Sequence, residues 1–490
     1  MSLRGCTRGA LAAALLGALA LAAGACSDEL DPACSTPSGM RCAGDVMVTC
    51  VGEAVTRRDC AAEQLECGYI DTPTGVSCVA EACAFVGPRG RCVGDTLARC
   101  TAGELTETTC ADGQVCAFVD EATGYGCRAA AETAMVSGEI RYQDRPQTDR
   151  GPVGEIRLQP VRGATVTVID DRTMMVLATV VTADNGSYVA HYTAAAGTMV
   201  HVTAVARSTF PGRPITVTTN TTAVHGFGSP SFAADAATTL DLVITDASGE
   251  AEAFNVFDQT VLSMDMLTGA LGIATPVPLR LRWLRGSQDG TYFDGTSIHL
   301  LGAASDDDGY DDTVIQHEIG HYVERTVGRS DSPGGGHNGS PTDPRLAWSE
   351  GFATYWAQAV LGHPIYSDSN SGGGFFDNID TGVTRANGAG LTQPVSENMV
   401  SEILWDLGDS AAPDDDLLTT QQHVEINRVQ PMYLKITQLR AVGTAGVDLV
   451  DFLDGWFKLA GLTSCAGVRD IVTVKRNFPY DYAGPGGPCP

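Results

Sequence analysis

Hydrophobic and polar positions change rhythm along the chain. Residues 10–23 are a continuous apolar run behind Arg4 and Arg8. Residues 135–246 carry short β-branched runs at 165–169, 176–182 and 200–205, separated by turn residues, which predicts an all-β region. Asn185-Gly186 stands between two of these runs and predicts a hairpin. From Glu250 the period lengthens. Phe254, Phe257, Val261 and Leu262 recur at helical spacing. Residues 279–284 and 297–301 predict strands, and helices dominate from Asp312 to Asn477. Glycine-rich stretches at 333–339 and 371–374, and the tail after Tyr482, predict surface loops.

Composition narrows the function. Among 490 residues, 59 Asp and Glu face 31 Lys and Arg, a net charge of −28. Such a chain is repelled by phosphate backbones, so nucleic acid is excluded as a partner. Charged residues are 18% and hydrophobic ones 43%, so most of the chain can bury a core. The sixteen cysteines are uneven: fourteen precede residue 128, and the others are Cys465 and Cys489. That distribution fits an exported protein with a disulfide-dense front module.

The N-terminus gives the compartment. A basic start, an apolar stretch and A-G-A-C ending at Cys26 form a signal peptide over 1–25, too short for a membrane span. Ala23-Gly24-Ala25 suits ordinary signal peptidase, giving a secreted protein. Cys26 just after it resembles the lipobox of bacterial lipoproteins, which implies acylation and an outer-membrane or cell-surface anchor. Ala23 departs from that pattern, which usually has a larger aliphatic residue there. Parity favours the lipid: twelve cysteines belong to repeats, Cys465 could pair with Cys489, Cys6 leaves with the signal, and Cys26 is left over.

After a linker at 26–33, residues 34–127 hold two copies of one repeat, 34–78 and 83–127. Cys34, Cys42, Cys50, Cys60, Cys67 and Cys78 have gaps of 7, 7, 9, 6 and 10. Cys83, Cys92, Cys100, Cys110, Cys116 and Cys127 have gaps of 8, 7, 9, 5 and 10. R-C-A-G-D at Arg41 matches R-C-V-G-D at Arg91. Units this small need covalent staples. Six cysteines allow fifteen pairings and sequence does not choose among them. The wide gaps without C-x-x-C argue against zinc. The copies resemble Cys-rich repeats on surface lipoproteins of myxobacteria, which implies a stalk or spacer. In 135–246, G-A-T-V-T-V followed by D-N-G-S-Y resembles the carboxypeptidase regulatory-like domain, a small β-sandwich, which implies an accessory module.

The chemistry lies in 250–490. H-E-I-G-H occupies His317–His321. A helix over about 313–327 places both histidines on one face, one turn apart, where they can reach one Zn²⁺ at roughly 2.1 Å each. Glu318 is offset beside the metal, placed to take a proton from water. Thr313 and Gln316 suit a capping box, and Gly328 a stop. Chance would give such a string in on the order of one chain in a hundred. Zinc needs a third protein ligand. A-W-S-E-G-F-A-T-Y at 347–355 opens a second helix, begun by Asp343-Pro344 and ended by Gly362 and Pro364. H-E-x-x-H with a glutamate on a later helix resembles the gluzincin metallopeptidases, the group that includes thermolysin, and S-E-G-F-A-T-Y looks like the N-E-G-F-A segment of zinc aminopeptidases. That resemblance implies Glu350 as third ligand. The metzincin pattern fails, because it needs Gly at Glu324 and His at Val327. His337, in the glycine-rich loop, reads as a surface residue, with a rare ligand role as the alternative.

Softer features surround this core. By the same resemblance, residues 294–303 are an edge strand that pairs with substrate backbone. Asp306 to Asp312 could bind Ca²⁺, though the spacing is not that of an EF-hand and a solvated acidic turn is the simpler reading. Residues 396–407 predict a helix with Met399, Val400, Ile403 and Leu404 inward, on which Glu397 or Glu402 could face the cleft. Thr354 could support a zinc histidine. A donor for the developing oxyanion is wanted, and Tyr355, Tyr366, His363, His423 and Tyr433 all qualify.

The expectation is a multidomain chain: disulfide-rich repeats, an all-β sandwich, then an α+β thermolysin-like domain with an edge-strand sheet and a mostly helical C-terminal part. Its expected activity is zinc-dependent peptide hydrolysis with Glu318 as general base and His317, His321 and Glu350 on the metal. Its substrate would be a peptide or protein. A lipid-anchored adhesion protein with a degenerate zinc domain is the rival reading, and a zinc hydrolase of another substrate a third.

Overall fold

The computed structural model describes residues 38–481, apart from short loop stretches and residues 410–416 and 419–441. Cys26 and Cys489 lie outside the described residues, and Cys465 is disulfide-bonded. Each repeat is a three-stranded antiparallel sheet followed by a hairpin. The second copy uses Arg91–Val93, Thr96–Thr101 and Glu104–Thr109, then Gln114–Asp120 with Gly124–Ala129. Its bridges are Cys83–Cys100, Cys92–Cys116 and Cys110–Cys127. The bridge Cys60–Cys78 repeats the last of these in the first copy. Cys60, Cys83 and Cys116 are themselves buried, so the cross-links supply much of the interior that units this small cannot build from apolar side chains.

Two sheets follow. In one, Ala134–Asp144 pairs with Arg157–Pro160 and Ser187–Tyr192, and with Thr238–Thr239 and Leu242–Ile244 in parallel. In the other, Thr165–Asp170 lies between Val176–Val181 and Met199–Val205. Val136, Ile140, Val166, Val168, Val200 and Val202 fill the space between. Asn185-Gly186 does make a tight turn, with Gly186 at φ 81. It is not a hairpin, however. The strand before the turn belongs to one sheet and the strand after it to the other, so the turn crosses the sandwich.

The expected boundary near residues 246–250 does not divide the packing. Strand β1 (Ile215–Thr218) leaves the sandwich and pairs in parallel with β2 (Leu279–Arg282). The sheet order is β1, β2, β4 (Ser297–His299) and β3 (Tyr292–Phe293). The expected edge strand over 294–303 is thereby corrected. β4 is interior, and the edge is β3, antiparallel to it. One continuous hydrophobic core runs from the sandwich through this sheet into the helices.

Helix α1 (Ala251–Asp265) lies inside that core, with nearly every residue buried. Its polar side chains are satisfied from several sides. Arg162 donates to Asp258 at 2.7 Å, Tyr142 to Asp258 at 3.1 Å, and Asn255 to Asp312 at 2.9 Å. Helix α2 (Asp312–Thr326) starts where Asn255 holds it. The expected capping box is absent. The Thr313 hydroxyl bonds the Ser367 carbonyl, and Gln316 bonds Gln259 and Ser263. Those side chains tether α2 sideways, and Asp311 takes the N-cap position.

Helix α3 (Pro344–Leu361) is capped by Asp343, which accepts from the Arg345 N–H, and stops at Gly362 with φ 73. Helix α4 (Glu397–Gly408) buries Met399, Val400, Ile403 and Leu404, as expected from its pattern. Two glycines set the spacing of this stack. A Cβ on Gly320 would lie 2.7 Å from the Ala353 Cα, and one on Gly351 would lie 2.5 Å from the Val400 Cβ and 2.6 Å from the Glu397 carbonyl oxygen. Each glycine adjoins a presumptive ligand, so the close helix approach is also what brings the candidate site together. Among the described residues no helix is long and apolar enough to cross a membrane.

Candidate metal centre and cleft

His317 and His321 lie on one face of α2, their ring centroids 4.9 Å apart. Across the tight α2–α3 contact, Glu350 points between them. Its Oε2 is 3.3 Å from the His317 Nε2 and 3.2 Å from the His321 Nε2. All three residues offer ligand atoms within 4.8 Å of one another. Behind the rings, the His317 Nδ1 meets the Thr354 hydroxyl at 3.2 Å, and the His321 Nδ1 meets the Ser349 hydroxyl at 3.3 Å. Thr354 therefore stands where the sequence suggested a supporting residue; Ser349 carried no such signal.

Charge in this cluster is strongly coupled. Burial works against the Glu350 carboxylate, yet the two imidazoles hold its carboxyl far below the usual range. Burial likewise opposes charge on His321, but Glu350, with Glu318 and Glu324 behind it, raises that ring to about 9. The donor set suits zinc: two imidazole nitrogens and one carboxylate oxygen, with room for a solvent ligand. The surroundings of one atom point the same way. The buried Glu350 Oε2 makes no well-aligned hydrogen bond, and ring nitrogens stand around it at 3.3, 3.2 and 3.5 Å. Such an acceptor is costly unless a cation completes it.

These residues line a cleft of about 950 Å³. Glu318 is 7% exposed, faces the cleft, and its Oε2 has no hydrogen-bond partner among the described residues. The edge strand β3 forms one wall. A hairpin of β5 (Ile365–Asp368) and β6 (Phe375–Asn378) contributes Tyr366, Asp368 and Phe375. Of the proposed oxyanion donors, Tyr366 lines the cleft. Burial, with Asp368 and Glu318 nearby, pushes its phenol well above the ordinary value, so it stays a donor. Tyr355 belongs to the core, His363 does not line the cleft, and His423 and Tyr433 lie outside the described residues.

His337 is exposed, as expected, and it also reaches the site: its Nε2 lies 3.5 Å from the Glu350 Oε2, and its Nδ1 lies 3.2 Å from the Glu397 Oε2. The loop that carries it is fastened to the start of α4. Gly339 donates to Glu397 at 2.9 Å, Ser396 donates to the Gly339 carbonyl at 2.6 Å, and Thr342 and Val395 exchange backbone bonds. Contact with Glu397 raises His337 despite partial burial. Glu402 turns away from the cleft to Arg476 and Thr384.

The acidic stretch Asp306 to Asp312 does not wrap one point. Asp307 accepts from Trp283, Asp311 accepts from Ser369, and Asp312 accepts from Asn255. Asp306 and Asp308 instead converge with Asp368 of β5. Burial, and then Asp368, Asp311 and Asp306, push Asp308 up to about 8. Because its folded value lies above the unfolded one, near 3.9, its contribution to stability is complete below about pH 3.9 and is lost as pH rises toward 8. In calcium-free buffer Asp308→Asn, which can still accept from Thr291, should be more stable than the parent at pH 8 by about 1–3 kcal/mol and equal near pH 4. Urea denaturation at both pH values checks this, and no difference at pH 8 would contradict it.

With this geometry in view, similarity to known proteins is specific in one part of the chain. Residues 274–441 match the Mycolysin C-terminal domain, a domain of metallopeptidases. The stretch includes α2, α3 and α4. The match supports a metallopeptidase-family link for this part of the chain, and proteins of the mycolysin family are typically secreted. No curated protein matches. A solved 9R-lipoxygenase from Cyanothece PCC8801 is similar over 29% of this chain and 25% of its own, at 7% identity and a TM-score of 0.16, too slight a likeness to carry an argument.

Proposed function

We propose that the chain is an exported zinc-dependent peptidase, with His317, His321 and Glu350 as the metal ligands and Glu318 as the general base. The observation that supports this most is the buried Glu350 oxygen set between two imidazole nitrogens, 3.3 and 3.2 Å from them. It lies in a cleft whose edge strand can pair with an extended peptide. Zn²⁺ held there would lower the pKa of a coordinated water to about 7 and polarise the scissile carbonyl.

The chain's own residues supply the rest. β3 offers its unpaired edge to the peptide backbone. Glu318 removes a proton from the attacking water, whose oxygen bonds to the carbonyl carbon. The C–N bond then breaks as Glu318 passes that proton to the leaving amine. No bond between enzyme and substrate forms. His337, oriented by Glu397, donates its Nε2–H to the developing oxyanion, with the Tyr366 phenol as a second donor in the same cleft. His337→Ala should lower kcat/KM by roughly 10²–10³-fold with zinc content unchanged; unchanged kinetics would remove His337 from this role.

The exported, surface-anchored setting rests on the signal sequence and Cys26, and the repeats serve as a stapled spacer. The direct test is hydrolysis of a casein-type substrate by the purified mature chain. Activity should vanish with a chelator and return with stoichiometric Zn²⁺. A zinc-loaded chain that cleaves no peptide bond would overturn the reading.

A further inference from the structure

Glu324 is a buried acid with no part in the reaction above. It lies one turn past His321 on α2 and is 1% exposed. Its Oε2 accepts a hydrogen bond of 2.6 Å from the Ser349 hydroxyl. The same hydroxyl lies 3.3 Å from the His321 Nδ1. Ser349 itself is 3% exposed, so water cannot readily replace either partner.

We infer that Glu324 is a positioning residue: acting through Ser349, it fixes the tautomer of His321 that leaves Nε2 free to bind a metal. This rests on the zinc reading above. Donor and acceptor counts set the direction of each bond. Burial pushes Glu324 up to about 7, so above that pH it is a carboxylate that only accepts, and the single Ser349 O–H points at it. The remaining lone pairs of that oxygen then face the His321 Nδ1 and can only accept from it. The proton is thereby held on Nδ1, which leaves Nε2, facing Glu350 and the cleft, as the nitrogen that gives up its proton to a metal. Without Glu324, the Ser349 O–H is free to donate to Nδ1. That favours the other tautomer, with the proton on Nε2, which cannot ligate. His317 has a different arrangement, meeting the Thr354 hydroxyl at 3.2 Å. The two ligand histidines are thus held by separate hydroxyls, and Glu324 governs one of them.

The test uses the full mature chain and zinc affinity measured by competition with a chromophoric chelator, with the melting curve of the metal-free protein confirming folding. Glu324→Leu should lose roughly 10–100-fold in zinc affinity. Glu324→Gln, which keeps an oxygen to accept from Ser349, should stay within about threefold of the parent. Ser349→Ala should lose about as much as Glu324→Leu, and the double variant Ser349→Ala/Glu324→Leu should lose no more than either alone, because both break one relay. Equal losses in Glu324→Gln and Glu324→Leu would show that only charge or packing matters and would overturn the inference. Additive losses in the double variant would do the same. Should the parent chain itself bind no zinc, the zinc reading fails before the relay is reached. A Glu324→Leu variant that does not fold leaves Glu324→Gln and Ser349→Ala to decide: the relay requires the first to keep its affinity and the second to lose it.

Discussion

Glu318→Gln should keep one equivalent of zinc per chain while peptide hydrolysis falls by roughly 10²–10⁴-fold or more. The substitution is nearly isosteric and removes only the ability to take a proton. Glu318 adjoins His317 in sequence, yet it lies outside the cluster of ligand atoms formed by His317, His321 and Glu350. Its Oε2 has no hydrogen-bond partner among the described residues, so the amide breaks no bond on that side. Folding, judged by melting temperature, should be unchanged. Metal analysis beside steady-state kinetics separates the two quantities. Full activity in this variant would remove Glu318 from the role of base, and loss of zinc would move it into the ligand set.

Glu350→Ala should do the opposite and empty the site. The zinc affinity should drop by more than the roughly 10–100-fold typical of outer-shell substitutions, because a ligand itself is gone. Hydrolysis should fall with zinc occupancy and recover in part at high zinc. The substitution has a second effect in the metal-free protein. Burial opposes charge on His321 and Glu350 is the largest influence raising it to about 9, so removing Glu350 should lower the ring, with Glu318 and Glu324 still opposing burial. A ring that can shed its charge escapes most of the cost of an unpaired buried ion, so the metal-free variant should lose only the pair's own stabilisation and melt modestly earlier. Zinc retained at the parent's affinity would show that the third ligand lies elsewhere.

The parts of this site that sequence disclosed are those governed by local periodicity. His317 and His321 share a face because a helix turns once in 3.6 residues. Glu350 could be placed on the next helix because Asp343-Pro344 and Gly362 mark that helix's ends. What stayed hidden depends on contacts between distant segments. His337 sits in a glycine-rich loop with no regular pattern, and it reaches the cleft because Gly339 and Thr342 are fastened to the start of α4. Asp306 and Asp308 find Asp368, some sixty residues away.

The same division holds for the fold. Asn185-Gly186 specifies a turn, but which sheet each flanking strand joins is decided by sandwich packing. Thr313 and Gln316 have the spacing of a capping box, yet buried partners on α1 and β5 compete for their side chains and win. Strand β1 reads as part of the sandwich, and it pairs with β2 because their apolar faces, Ile215 and Val217 beside Leu279 and Leu281, close one core. The tight approach of Gly320 to Ala353 and of Gly351 to Val400 is written in the sequence only as two small residues.

Whether one zinc ion is held by two imidazoles of α2 and one carboxylate of α3 is tested most directly by diffraction from crystals of the mature chain, recorded on either side of the zinc absorption edge. A single strong anomalous peak is expected about 2 Å from the Nε2 atoms of His317 and His321 and from a Glu350 carboxylate oxygen. A zinc-saturated crystal with its peak elsewhere, or with Glu350 turned away from the two rings, would contradict it.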